Sequence, residues 1–120
     1  MTFAYDDQNI FAKILRGEIP NTTVFENDHA LAFKDITPQA PVHVLVIPKG
    51  AYVSLDDFAK NASADEQVGF MQAVAQVCDI TGVDAGFRAV ANTRAHGVQD
   101  VPHFHMHILG GKQLGAMLPR

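Results

Sequence analysis

HFHMHILGG, running from His103 to Gly111, places three of the chain's six histidines at every second position, with Phe104, Met106 and Ile108 in the gaps. Side chains alternate between the two sides of an extended chain. The pattern therefore predicts a strand over His103 to Leu109, with the imidazoles on one face and the apolar residues buried on the other. Successive rings on such a face lie about 6.5 to 7 Å apart. An ordinary solvated face would mix Thr, Lys and Glu rather than repeat imidazole, a group that donates, accepts or attacks near neutral pH. The spacing suits two chemistries. One is a metal shell completed by Asp100 or His43. The other is nucleophilic catalysis, in which the middle ring, His105, attacks an electrophile while its neighbours orient it and move a proton. To attack, His105 must be unprotonated, a state favoured by flanking positive charge or by an oriented hydrogen bond.

Outward from this stretch the chain alternates short apolar runs with two helical patterns. From Asp7 to Gly17, Ile10, Phe11, Ile14 and Leu15 recur one turn apart, which predicts a short amphipathic helix. Thr22 to Glu26 and Ala30 to Phe33 flank Asn27-Asp28 as the strands of a hairpin. Pro38 and Pro41 interrupt the next segment, after which Val42 to Ile47, containing His43, is a buried strand ending at Pro48. Ser63-Ala64-Asp65-Glu66 has capping-box spacing, and Val68, Met71, Val74, Ala75 and Cys78 continue a helical period to Gly82. Phe87 to Ala91 is a further strand, followed by a polar loop from Asn92 to Asp100; Pro102 suits the first residue of the last strand. A long helix inserted between the third and fourth of five strands predicts an α+β fold. It is a five-stranded antiparallel sheet with two main helices, in a single domain spanning residues 1–120.

Composition narrows the function classes. Apolar residues make up 48% and charged residues 18%, which fits neither a disordered nor a fibrous chain. The net charge of -4 argues against a protein that coats nucleic acid, although a single bound phosphate needs only local donors. Cys78 is the one cysteine, so no internal disulfide forms. The opening MTFAYDDQNIFAKIL lacks a basic region followed by an apolar one, and no run approaches the roughly 20 apolar residues that cross a bilayer. These features lead to the expectation of a cytoplasmic protein with no membrane partner.

With its flanks, HFHMHILGGK (His103 to Lys112) resembles the histidine-triad (HIT) family, and Gly110-Gly111 resembles its nucleotide-binding branch. NIFAKILRGEIP (Asn9 to Pro20) is similar to that branch's N-terminal helix and loop, and ALAFKDITPQAPVHVLVIPK (Ala30 to Lys49) to its central segment; Asn92 and Gln99 extend the likeness. The resemblance implies a HIT-like sheet paired into a homodimer through the long helix and one strand. It implies hydrolysis of purine nucleoside phosphoramidates, with no metal and no cofactor required. His105 would be the nucleophile, forming a covalent nucleotidyl-histidine that water cleaves to a nucleoside monophosphate, an AMP or GMP moiety, after the amine has left. His107 would hold a phosphate oxygen and serve the leaving side, with His103 and His43 in support. Asp35 would accept from the ribose hydroxyls, and Phe11, Ile14, Ile19, Phe33 and Ile36 would form the slot for the base. Asn92, Val98, Gln99 and Asp100, with His105 and His107, complete the implied nucleotide site.

Plainer roles compete for several of these residues. Phe33 and Ile36 suit a core, Asp35 and Asn92 suit turns, and His43 suits a paired buried histidine. His29 and His96 read as surface residues. The loop before the triad also departs from the branch's Gly-Gly-Gln followed by a hydroxyl or acidic residue, reading Gly97-Val98-Gln99-Asp100. Val98 removes easy access to positive φ, leaving the amide of residue 98 or 99 as a phosphate donor. Asp100 stands where some relatives have serine. A carboxylate beside a phosphate is costly unless paired, and it is expected to raise the pKa of His107 or His103. The C-terminal QLGAMLPR lacks the tryptophan of some relatives, which alters leaving-group recognition across a dimer interface. Three other functions remain open. Cleavage of dinucleoside polyphosphates is disfavoured by Gly110-Gly111 and the short chain. A nucleotide-binding interaction protein with little turnover is suggested by Val98 and Asp100. A cupin-like metal-binding sheet is disfavoured by the helical period from Asp65 to Asp79.

Overall fold

A computed structural model describes residues 4–118. Its strands are β1 (Thr23–Glu26), β2 (Ala30–Lys34), β3 (Val42–Pro48), β4 (Phe87–Val90) and β5 (Met106–Gly110). They form one antiparallel five-stranded sheet in the order β1-β2-β3-β5-β4. The helices are α1 (Ile10–Leu15), α2 (Leu55–Asn61), α3 (Ala64–Thr81) and the single turn α4 (Arg94–Gly97). The α+β architecture is the expected one, with α3 inserted between β3 and β4. Among the described residues no helix is long and apolar enough to cross a membrane.

Local chemistry accounts for the boundaries. The β1–β2 turn is held by Asn27, whose Oδ1 accepts from the amides of His29 and Ala30, both at 2.9 Å. Ser63 and Glu66 close a complete capping box at the start of α3, and Gly82 ends the helix in the left-handed region at φ 67°. Alternation along the strands then separates two cores. Ala30, Ala32, Val44, Val46 and Ile108 face α3, where they meet Phe70, Ala73, Val74 and Val77, with Phe58 of α2 and Phe104 completing the layer. The rings of Phe58, Phe70 and Phe104 lie 5.0 to 5.3 Å apart. Leu31, Phe33, Leu45 and Ile47 face the other way, against Phe11 and Ile14 of α1. Residue 107 is paired with Leu45, so the same alternation delivers His107 to the α1 side.

Several boundaries differ from the sequence expectations. The last strand starts at Met106 rather than His103. Pro102 has no N–H, the His103 amide turns back to Val101 O at 2.9 Å, and the Phe104 amide donates to Tyr52 O at 2.7 Å, so this backbone is spent on loops rather than on the ladder. Alternation nevertheless persists, with Phe104 and Ile108 in the α3 core. The first helix is confined to Ile10–Leu15, because Asn9 caps it through Ala12 N and Gly17 leaves it at φ 78°. The α2 helix was not anticipated, although Ser54 caps it through Asp57 N. The loop from Asn92 to Asp100 contains α4. His29 is half-buried rather than a surface residue, and its ring lies where a Cβ on Gly69 would fall, within 2.7 Å. His96 is exposed, as expected.

Phe70→Ala should destabilise the protein by about 4 kcal/mol, as for other buried phenylalanines, and Ser63→Ala by about 1 kcal/mol through the lost cap. Urea denaturation measures both, and equal effects would contradict the assignment of Phe70 to the centre of the α3 core.

Candidate active site

Four histidines converge on the α1 side of the sheet, and each ring has one nitrogen whose partner decides where its proton lies. His103 is fully buried. Its Nε2 is 2.8 Å from Pro48 O, an acceptor only, so Nε2 carries the hydrogen and Nδ1 accepts from the Tyr5 hydroxyl at 2.7 Å. His105 has the opposite arrangement. Its Nδ1 lies 2.7 Å from the carbonyl of His103, which holds the proton on Nδ1 and leaves the lone pair on Nε2. The ring of Phe11 packs edge-on at 4.9 Å, and the His105 side chain is only 2% exposed.

The second pair forms a chain that begins on the backbone. The Gln39 amide donates to His43 Nδ1 at 3.0 Å, so the proton of His43 sits on Nε2. That nitrogen is 2.9 Å from His107 Nδ1, which therefore accepts and leaves the His107 proton on Nε2. The rings of His105 and His107 are 5.1 Å apart. A bare nitrogen on His105 thus neighbours a ring whose outer nitrogen carries a proton.

Burial sets the charge of three of these rings. The pKa of His103 is pushed down to about 4, chiefly by burial, which outweighs the raising effect of the bond to Pro48, with a smaller lowering effect of His105. His43 is lowered by burial despite Asp35, and His107 is lowered by burial and then by His105 and His43. The expectation that Asp100 acts to raise His107 holds, whereas His103 is set by burial, Pro48 and His105. The Asp100 carboxylate favours the charged form of His107, but desolvation outweighs it there, and its near contact is with His105 instead. The 3.4 Å approach of Asp35 Oδ2 to His43 Nε2 is likewise an N–H group facing a carboxylate rather than a full ion pair.

The remaining candidates fall into three groups. Phe11, Ile14 and Phe33 form one cluster with Ile19 packed on it, whereas Ile36 is 90% exposed and stands outside the core. Asp35 holds a turn through Oδ1, which accepts from Thr37 N at 2.8 Å and Thr37 Oγ1 at 3.2 Å, and its Oδ2 remains directed at His43. Asn92, two residues beyond β4, is half-buried against Gly97. In the loop, Val98 adopts φ 56° and ψ 51°, contrary to the expectation that its branched side chain forbids this region. Its side chain projects into solvent at 78% exposure, and the chain reversal is held by the amides of Val98 and Gln99 donating to Ala95 O and Arg94 O. Those amides are engaged within the loop. The side chain of Gln99 is engaged as well: Nε2 donates to Val53 O and Val101 O, and Oε1 accepts from Arg94 N. Asp100 Oδ1 lies 3.4 Å from His105 Nε2.

Sequence reasoning passed over Tyr5 and Gln39, which set the tautomers of His103 and His43. Neither has a sequence signal, because one acts through a contact 98 residues away and the other through its backbone. Asp35, His43 and His107 each offer one ligand atom within 4.8 Å of the others, a donor set suited to a divalent ion. With a hydrogen bond joining the two ring nitrogens at 2.9 Å, the arrangement as it stands is wired for a proton.

Several known proteins share this arrangement of sequence and fold. Residues 16–114 match the model of the HIT domain family. An uncharacterized 13.2 kDa HIT-like protein of Azospirillum brasilense is 49% identical, over 100% of this chain and 99% of that protein. A purine nucleoside phosphoramidase of Escherichia coli (strain K12) is 42% identical, over 93% of this chain and 94% of its own length. A histidine triad protein from Clostridium difficile superposes with a TM-score of 0.84 at 40% identity, covering 96% of this chain and 100% of that one.

The buried neutral His103 should make the protein acid-sensitive. Its folded pKa lies below the unfolded value, so its contribution is complete above about pH 6.5 and is lost as pH falls toward about 4, roughly 3 kcal/mol in all. Urea titrations across that interval should show stability falling with pH, and less steeply in His103→Asn; a flat profile in the unmodified protein would contradict the assignment.

Proposed function

The chain belongs to the HIT domain family, and from that premise we propose that it is a purine nucleoside phosphoramidate hydrolase acting through a covalent nucleotidyl-His105. The observation that carries this reading is the bond from His105 Nδ1 to the His103 carbonyl, which leaves Nε2 as an attacking lone pair. The 42% identity to a purine nucleoside phosphoramidase supports the substrate class.

The chemistry runs in two displacements. Binding of an anionic phosphate favours a second proton on His107, at Nδ1, and His43 Nε2–H then turns to Asp35 Oδ2, 3.4 Å away. Nε2 of His105 forms a bond to the α-phosphorus as the P–N bond breaks. The departing nitrogen keeps the bonding pair and takes the Nε2 proton of His107, so the amine leaves neutral. Water next adds to phosphorus and the Nε2–P bond returns its pair to His105. The water proton goes to the vacated Nε2 of His107, and the nucleoside monophosphate departs. No metal ion enters either step. The purine meets Ile36 and the edges of the Phe11, Ile14, Ile19 and Phe33 cluster, and Asp35 receives the ribose. Asn92, Val98, Gln99 and Asp100 shape the phosphate loop, Gln99 by bracing it.

The acting species in this reading is a homodimer in the cytoplasm. Val68, Met71 and Ile80 on α3 and Phe87 on β4 are exposed apolar residues, and β4 is an unpaired edge of the sheet.

Purified protein should release AMP from adenosine 5′-phosphoramidate in the presence of a chelator, sedimenting at twice the 13.0 kDa chain mass. His105→Ala should be slower by at least about a thousandfold. Equal release by both proteins would sink the reading, and faster turnover of a diadenosine polyphosphate would favour the other cleavage.

A further inference from the structure

The four-residue turn α4 has no buried side chain, yet a left-handed residue stands at each end of it, Arg94 at φ 54° and Val98 at φ 56°. Among the described residues these are the two non-glycine positions at positive φ, and the branched Val98 is the costlier. Backbone in that region persists only where its surroundings over-determine it. Apolar packing does not do so here. Polar ties take its place, and from both ends of the turn they reach residues 53–56. Arg94 donates from both terminal nitrogens to the Asp56 carboxylate, at 3.2 and 2.9 Å, and its amide donates to Gln99 Oε1 at 3.1 Å. Gln99 Nε2 donates to Val53 O at 2.6 Å. Ser54, 1% exposed, donates to Asp56 Oδ1 while it caps α2, so the carboxylate is oriented from two sides. These bonds, that of Arg94 foremost, hold the Asp56 carboxyl well below the usual carboxylate range.

The far end of these ties is fixed to the triad. Tyr52 O accepts from Phe104 N at 2.7 Å, and Phe58 of α2 packs on Phe104 with ring centroids 5.2 Å apart. Phe104 lies between His103 and His105 in the chain. Residues 52–58 are therefore joined on one side to the backbone that carries the histidines and on the other to the loop. An exposed ion pair contributes little to stability, so the value of the Arg94–Asp56 pair lies in placement. A loop fixed in advance meets its ligand already ordered, which removes the cost of ordering it from binding. We infer that Arg94 and Asp56 are positioning residues for the nucleotide phosphate: their ion pair anchors the loop of residues 94–100 to the start of α2 and so presents it to the phosphate in fixed relation to the triad. This deepens the nucleotide reading and rests on it. Both residues act through the loop rather than on the reacting atoms.

The test compares AMP with adenosine, which differ by the phosphate that the loop would face. Glycine adopts φ 54° without strain, so Arg94→Gly removes the guanidinium and leaves the turn its conformation. Its urea midpoint should stay close to that of the unmodified protein, because relief of strain offsets the freedom glycine adds to the unfolded chain. By calorimetric titration the dissociation constant for AMP should rise about fivefold in Arg94→Gly, while that for adenosine changes by less than about twofold. Asp56→Ala should weaken AMP in the same direction, and the double variant should be no weaker than either single one, because the two side chains act as one unit. Simple charge attraction makes the opposite forecast for Asp56→Ala, since loss of a nearby negative charge would tighten AMP binding. Tighter AMP binding by Asp56→Ala, unchanged AMP affinity in Arg94→Gly, or equal weakening of AMP and adenosine overturns the inference. A protein that binds AMP but cleaves adenosine 5′-phosphoramidate no faster than His105→Ala would overturn the hydrolase reading and leave the positioning role standing; no binding of AMP by the unmodified protein would overturn both.

Discussion

One hydrogen bond, from Nδ1 of His105 to the carbonyl of His103, governs the chemistry of the site. Within a regular antiparallel ladder a main-chain carbonyl is commonly taken by a neighbouring strand. Here the ladder stops at the Val46–Met106 pair, and the backbone of residues 103 and 104 bonds to Val101 and Tyr52. The carbonyl of His103 is thereby left for an imidazole two residues on. Loss of regular strand at this point is what makes His105 a directed lone pair rather than a ring free to take either tautomer.

The other three rings have the opposite polarity for equally local reasons. The carbonyl of Pro48 holds the proton on the ring nitrogen that it faces, whereas the hydroxyl of Tyr5 and the amide of Gln39 each occupy a ring nitrogen and leave the proton on the other. His107 inherits its state from His43. Burial then keeps His43, His103 and His107 from taking up protons easily, through a desolvation cost larger than the attraction of nearby carboxylates. A ring with a bare outer nitrogen and a ring with a protonated one are set side by side by hydrogen-bond partners drawn from four separate loops or strand ends.

Much of this was legible in the chain. The alternation in HFHMHILGG assigns Phe104 and Ile108 to one side and the histidines to the other, and that assignment survives although only residues 106 to 110 join the ladder. The capping box at Ser63 and the strand at Val42 were likewise visible, because each depends on neighbours close in sequence. The tautomers were not. They depend on Tyr5, Gln39 and Pro48, brought in by tertiary packing and acting partly through backbone atoms that every residue possesses. Val98 illustrates the same limit: its propensity argues against the left-handed region, but the hydrogen bonds that close α4 and an outward-facing side chain override it. The α2 helix had a readable cap at Ser54, but its seven residues are too few for a clear helical period.

The tautomer of His105 can be observed directly by long-range nitrogen–proton correlation NMR of the imidazole rings at neutral pH. His105 should show a protonated Nδ1 and an unprotonated Nε2, whereas His43, His103 and His107 show the reverse. A proton on Nε2 of His105 in the resting protein, with Nδ1 bare, would contradict the assignment of that nitrogen as the attacking atom.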